Sequence, residues 1–289
     1  MPNGTTAKPS PGSRLPSWAS LLALLGAFLV FLVAWGTILV VGFRLDAGVL
    51  SHLQDVPQRV LDVYTIGLYL GLITLMAAYW ARFEGRSWGE LGLGWNAEHL
   101  REGLVLGLGG LVAIYGVSWA LGWARFVPPD HWPAGTVVAD LGAAAAMGLA
   151  EEILFRGILL RTLLRDRHPA AAIAVTAVLY ALAHFARPGL TLQSSILPFL
   201  GLTATGCLFA YAAWSRQSLW LSTGMHAVWI FFIALSSQLN LWTYSAEGHA
   251  WTGSGYPPSG LLAGLTMLAC GSLLWLKAFR ARSAHGAGR

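Results

Sequence analysis

Two adjacent carboxylates, an arginine and two histidines stand inside long apolar runs of the chain: Glu151, Glu152 and Arg156 in one run, His184 in the next and His226 in a later one. Carboxylate and imidazole are the groups that move protons to and from water near neutral pH, so the set suits general acid–base hydrolysis. Successive residues of a helix point about 100° apart, and Glu151 and Glu152 therefore face different ways. Arg156 follows Glu152 by four residues, the spacing at which the two side chains pair directly and Glu152 is held ionised. Glu151 has Phe155 and Gly148 as its helical neighbours, an apolar setting without a charged partner on its own helix. Glu151 is thus the candidate base, with His184 completing a water-activating pair and His226 polarising a carbonyl or holding an oxyanion. Taken singly, each residue reads equally well as part of a buried ion pair or as a hydrogen-bonded packing histidine. Together, with little else ionisable at depth, they are more simply explained by a site.

Other chemistries lack their residues. The sequence has no H-E-x-x-H, no G-x-S-x-G, no paired intramembrane aspartates and no glycine-rich phosphate loop, which removes zincin, serine, aspartyl and nucleotide chemistry. Cys207 and Cys270 both lie in apolar runs and build neither a disulfide framework nor a cysteine zinc site. Glu151, Glu152, His184 and His226 offer carboxylate and imidazole ligands, so zinc is the alternative to direct acid–base catalysis without a cofactor.

The elements that must position these groups are membrane helices. The 289-residue chain is 56% hydrophobic and 11% charged, against about 25% charged in soluble domains, and its mean hydropathy is +0.59. A bilayer crossing needs about 20 mostly apolar residues. Segments 18–43, 61–80, 103–123, 137–160, 170–185, 196–214, 219–239 and 260–279 qualify, which predicts an all-α polytopic protein of about eight transmembrane helices. Residues 1–17 read as a disordered tail, 18–280 as one membrane domain and 281–289 as a second tail. The first apolar run is longer than a signal-peptide core, so it reads as an uncleaved anchor. Gly103/Gly107, Gly67/Gly71 and Gly260/Gly264 have the spacing that permits close helix approach. Asp62 and Asp140 sit near segment ends, where a carboxylate caps a helix or reaches headgroups.

Thirteen of the 18 Lys and Arg fall on the termini and the even-numbered loops, which puts both termini in the cytoplasm. Loop 240–259, rich in Trp and Tyr and free of Lys and Arg, then faces outward. The net charge of +5 is spent on topology rather than on a basic face for nucleic acid. Counted from the cytoplasmic ends, Glu151 lies about 14 Å deep, His226 about 10 Å and His184 about 21 Å, depths compatible with one shared cavity.

The run Ala150-Glu151-Glu152-Ile153-Leu154-Phe155-Arg156-Gly157 resembles the E-E-x-x-F-R signature of the CPBP family, the CAAX-processing and bacteriocin-processing (ABI) membrane proteases. Tyr180 four residues before His184 is similar to that family's second motif, and His226 to its third; Leu91 to Gly94 is a weaker likeness. The resemblance implies an eight-span intramembrane endopeptidase of the glutamate type, working without metal on a membrane-associated or lipidated peptide. It implies Glu151 and His184 as activators of the attacking water, His226 as oxyanion stabiliser, and Glu152 and Arg156 as supports. The family usually carries Asn four residues after the third-motif histidine; this chain has Ile230 there. Trp229, Ser222 and Thr223 are the candidate replacements as donor, since one lost oxyanion donor costs about 100- to 1000-fold in rate. A non-catalytic immunity or binding factor on the same fold is the chief rival, and a proton-coupled transporter is disfavoured by the lack of repeat halves. Arginine in place of lysine, with abundant Ala, Gly and Trp, points to a bacterial cell membrane.

Overall fold

The computed structural model describes residues 17–43, 58–82, 84–184, 192–253 and 260–286. Of the expected N-terminal tail 1–17, residues 1–16 lie outside the described residues and Ser17 opens the first helix; the side chain of Asp62 also lies outside them. Helix follows helix in chain order: α1 (Ser17–Gly42), α2 (Gln58–Arg82), α3 (Ala97–Ala120), α4 (Ala134–Glu152), α5 (Leu160–Leu163), α6 (Pro169–His184), α7 (Leu192–Arg216), α8 (Trp220–Gln238), α9 (His249–Thr252) and α10 (Leu261–Gly286). Among the described residues five helices are long and apolar enough to cross a membrane, and α6 and the stretch Leu261–Lys277 of α10 are shorter apolar helices. The protein is an all-α integral membrane protein.

Two boundaries differ most from the sequence expectation. Helix α3 starts at Ala97 rather than at residue 103, because the Asn96 side chain caps it by accepting the His99 N–H at 2.9 Å. Its first two turns therefore carry Glu98, Arg101 and Glu102 ahead of the apolar run. Helix α10 continues to Gly286, into the segment expected to be a tail. Sequence reading also missed a two-stranded antiparallel sheet, β1 (Ala124–Phe126) with β2 (Trp242–Tyr244), because strands this short carry no readable alternation.

The outward faces explain the composition. Val30 and Val33 are each 71% exposed and Val138 is 70% exposed, surfaces that belong against lipid chains rather than water. Exposed Trp95 and Trp119 bracket α3, whose 24 residues span about 36 Å, close to the distance between the two interfacial aromatic belts. The Trp95 end is also the end of Arg86, Arg161, Arg165 and Arg216, which pair with Glu90, Gln217, Glu84 and Glu102 respectively.

Helix α8 is the hub. Residues Leu221 to His226 are buried without a break, packed among α3, α4 and α7. Close approach of α3 is allowed by glycine: a Cβ on Gly103 would strike the Leu221 carbonyl, and one on Gly107 would lie 2.9 Å from Met225 Cα. The foot of α8 is pinned by the turn after Trp88–Leu91, where Gly92 takes φ +84 and its carbonyl accepts the Leu219 N–H at 2.9 Å. Trp220 Nε1 donates to the Gly94 carbonyl at 2.9 Å, and His226 follows about 9 Å further along the helix.

Candidate active site

Helix α4 does not run on as an α-helix after Glu152. Residues Ile153–Leu159 form a π-helix before α5 resumes regular winding, the Leu160 N–H reaching back to the Phe155 carbonyl. The wider turn falls where Phe155, Arg156, Gly157 and Ile158 are all buried in succession, so this stretch has packed neighbours all around it. The bulge thus brings Arg156 inward without leaving a lipid-facing side for the charge to meet.

Arg156 and Glu152 are both fully buried and paired, with Nη1 donating to Glu152 Oε1 at 2.8 Å. Arg156 Nη2 donates to the Gly206 carbonyl of α7 at 3.4 Å. Its guanidinium lies 4.5 Å from the Tyr180 ring centre, 5.2 Å from Phe209 and 5.6 Å from Phe155, an aromatic cage that offsets part of the cost of burying the charge. Glu152 Oε1 also accepts from His226 Nδ1 at 3.0 Å. An ionised carboxylate only accepts, so His226 carries its proton on Nδ1 and turns Nε2 away from Glu152.

Two helices, α4 and α6, deliver groups to that nitrogen. Glu151 Oε2 is 3.6 Å from His226 Nε2 and 4.0 Å from His184 Nε2. The same oxygen is buried and makes no hydrogen bond among the described residues. Tyr180 Oη lies 3.3 Å from His226 Nε2. His184, the last residue of α6, directs Nδ1 to the Tyr180 carbonyl at 2.8 Å, so Nδ1 is the donor and the neutral ring keeps a lone pair on Nε2. That bond also satisfies one of the carbonyls left free at the helix end.

The structure therefore brings together Glu151, Glu152, Arg156, Tyr180, His184 and His226. They line or underlie a cavity of about 650 Å³ that continues between α1 and α2 along apolar side chains such as Phe28, Leu32, Leu72 and Met76. Ile230 lines the same cavity. Two of the donors considered from sequence are engaged elsewhere: Trp229 Nε1 donates to the Gly107 carbonyl at 3.1 Å and Ser222 Oγ to the Leu219 carbonyl at 3.1 Å. Asp140 accepts from Gln238 at 2.8 Å, an inter-helix tie away from the site. Sequence reasoning missed Phe209 and the Gly206 carbonyl, which no motif marks, and the contact of the Tyr180 hydroxyl with His226. Among the described residues no group of three His, Cys, Asp or Glu is arranged to hold a metal ion.

Residues 133–232 match the family described as Type II CAAX prenyl endopeptidase Rce1-like. Over this stretch the chain is similar to the CAAX-protease family. The matched stretch contains every residue of the cluster, from Glu151 through Ile230, and the helices α4, α6, α7 and most of α8 that carry it. No curated protein and no solved structure matches the chain.

Proposed function

We propose that this protein is an intramembrane endopeptidase of the glutamate type, hydrolysing a peptide bond in a membrane-associated or lipid-modified substrate. The observation that carries the reading is the buried Glu151 oxygen facing two imidazole nitrogens at 3.6 and 4.0 Å. Glu151 and neutral His184 are both acceptors, so a water between them donates one hydrogen to each and is aimed by both. As the water oxygen bonds to the scissile carbonyl carbon, Glu151 takes one of its protons. His226, as imidazolium, keeps Nδ1–H on Glu152 and presents Nε2–H to the developing oxyanion. Collapse breaks the C–N bond, Glu151 returns its proton to the departing nitrogen, and the second water proton passes by way of His184 to the freed amine, leaving carboxylate and ammonium products. Glu152 and Arg156 touch no reacting atom; they hold His226 in its tautomer and orientation.

The apolar arm of the cavity accommodates the lipid or apolar side chains of such a substrate. Positive-inside counting orients both termini to the cytoplasm, with the site nearer the Arg-rich face and entered from it. The composition favours a bacterial cell membrane. Metal plays no part in this reading.

Purified protein in detergent, given a fluorogenic peptide with a farnesylated cysteine near its C-terminus and a library of unmodified apolar peptides, should cleave at least one. Glu151→Gln and His184→Ala should each abolish turnover without lowering the unfolding temperature. Equal rates for wild type and Glu151→Gln would leave the binding-factor reading, which the apolar Ile230 favours. Turnover lost to strong chelators and restored by zinc would replace the metal-free reading.

A further inference from the structure

The water-activating half of the cluster is well supplied with acceptors, whereas the oxyanion half has few donors. Ile230 presents a hydrocarbon wall. Trp229 and Ser222 have given their hydrogens to backbone carbonyls, and Thr205, which lines the cavity, donates to the Gly201 carbonyl at 3.0 Å. Tyr180 is differently placed: its hydroxyl oxygen is 3.3 Å from His226 Nε2, the atom that would face the oxyanion, and its ring is 2% exposed.

We infer that the Tyr180 hydroxyl is the second oxyanion donor of this protein, standing in for the side-chain donor that Ile230 cannot supply. The inference rests on the glutamate-protease reading above. With His226 neutral, Tyr180 O–H donates to Nε2. With His226 protonated, that bond is given up, and the phenol O–H and Nε2–H become two donors 3.3 Å apart, a spacing that lets both converge on one oxygen. The phenol is held against drift on three sides: its ring lies under the Arg156 guanidinium at 4.5 Å, edge-on to Phe155 at 5.3 Å, and beside His184 at 4.4 Å. Preorganised donors of this kind act in a dry site at no reorganisation cost when charge develops. Because hydroxyl and base sit on different helices, α6 and α4, the carbonyl is gripped from one side and attacked from the other.

Tyr180→Phe keeps the ring and removes the donor, so kcat on the best cleaved peptide should fall about 100-fold or more with KM within about twofold. A peptide aldehyde, whose hydrate mimics the tetrahedral intermediate, should bind Tyr180→Phe weaker by a similar factor. Binding of the intact peptide, measured in a Glu151→Gln background, should not change. Adding Ile230→Asn to Tyr180→Phe should recover part of the lost rate. Unchanged kcat in Tyr180→Phe beside a dead Glu151→Gln overturns the Tyr180 role and leaves the protease reading standing. Equal weakening of aldehyde and intact peptide also overturns it, since it marks a packing role. Full activity in Glu151→Gln defeats the underlying reading itself.

Discussion

At the residue scale, a fully buried arginine is tolerable because everything around it has been arranged for it. Arg156 has one carboxylate, one backbone carbonyl and three aromatic faces, so the unit is a network rather than a lone pair. Removing the cation strands Glu152 at zero exposure. Arg156→Met is therefore expected to destabilise the protein by about 3–5 kcal/mol, read as a lower unfolding temperature in detergent. Glu152→Gln acts differently. It keeps volume but can turn an amide N–H toward His226 Nδ1, which moves the imidazole proton to Nε2. By the precedent of the orienting aspartate in serine triads, kcat should fall by up to about 10⁴-fold with KM little changed, and peptide hydrolysis measures both.

At the element scale, the position of His226 depends on how closely α3 seats α8. Gly107→Val would set a branched side chain against the Met225 backbone, which cannot yield as a flexible side chain would. The helix carrying His226 must then move, and misplacement by about 1 Å costs on the order of 100-fold in rate. Gly109→Ala, two residues along the same helix, meets nothing within 4 Å and should leave both rate and unfolding temperature unchanged. The π-helix is the other device at this scale. Inserting one alanine between Arg156 and Gly157 shifts the register of everything after the buried stretch while leaving Glu151 to Arg156 intact. Folding should suffer, through loss of the Leu91 and Leu219 contacts at Gly157, more than the Glu152–Arg156 pair itself. Proteolytic susceptibility in membranes against wild type reads this out.

At the scale of the whole molecule, the sparse charges decide which way the bundle sits. With Cys207 and Cys270 replaced by alanine, single cysteines at His131 and at Arg167 should react with a membrane-impermeant maleimide from opposite sides of sealed vesicles. Arg167 should label from the cytoplasmic side. Labelling of both from one side would refute the crossing of α4 through α5 and with it the depth assigned to Glu151. Exposed Trp95 and Trp119, near the two ends of α3, suit the aromatic belts of both interfaces and so do not distinguish the two sides.

Much of this protein was legible in its residues alone, and the reason is the solvent. A bilayer forbids unpaired charge, so apolar run length located the helices, and the few ionisable residues left inside them located Glu151, Glu152, Arg156, His184 and His226. Helical spacing sufficed for the Glu152–Arg156 pair, because both partners lie on one chain segment. Contacts between helices were beyond that reach. Which histidine stands nearer Glu151, where the proton of each imidazole sits, and that Trp229 and Ser222 are engaged while Tyr180 faces His226 all depend on rotations and crossings of α4, α6 and α8. The π-helix sets one of those rotations and has no periodicity signal of its own. The tertiary packing, through small residues that let helices touch, converted five isolated polar side chains into one cluster, in which His226 joins the Glu152–Arg156 pair to Glu151 and His184.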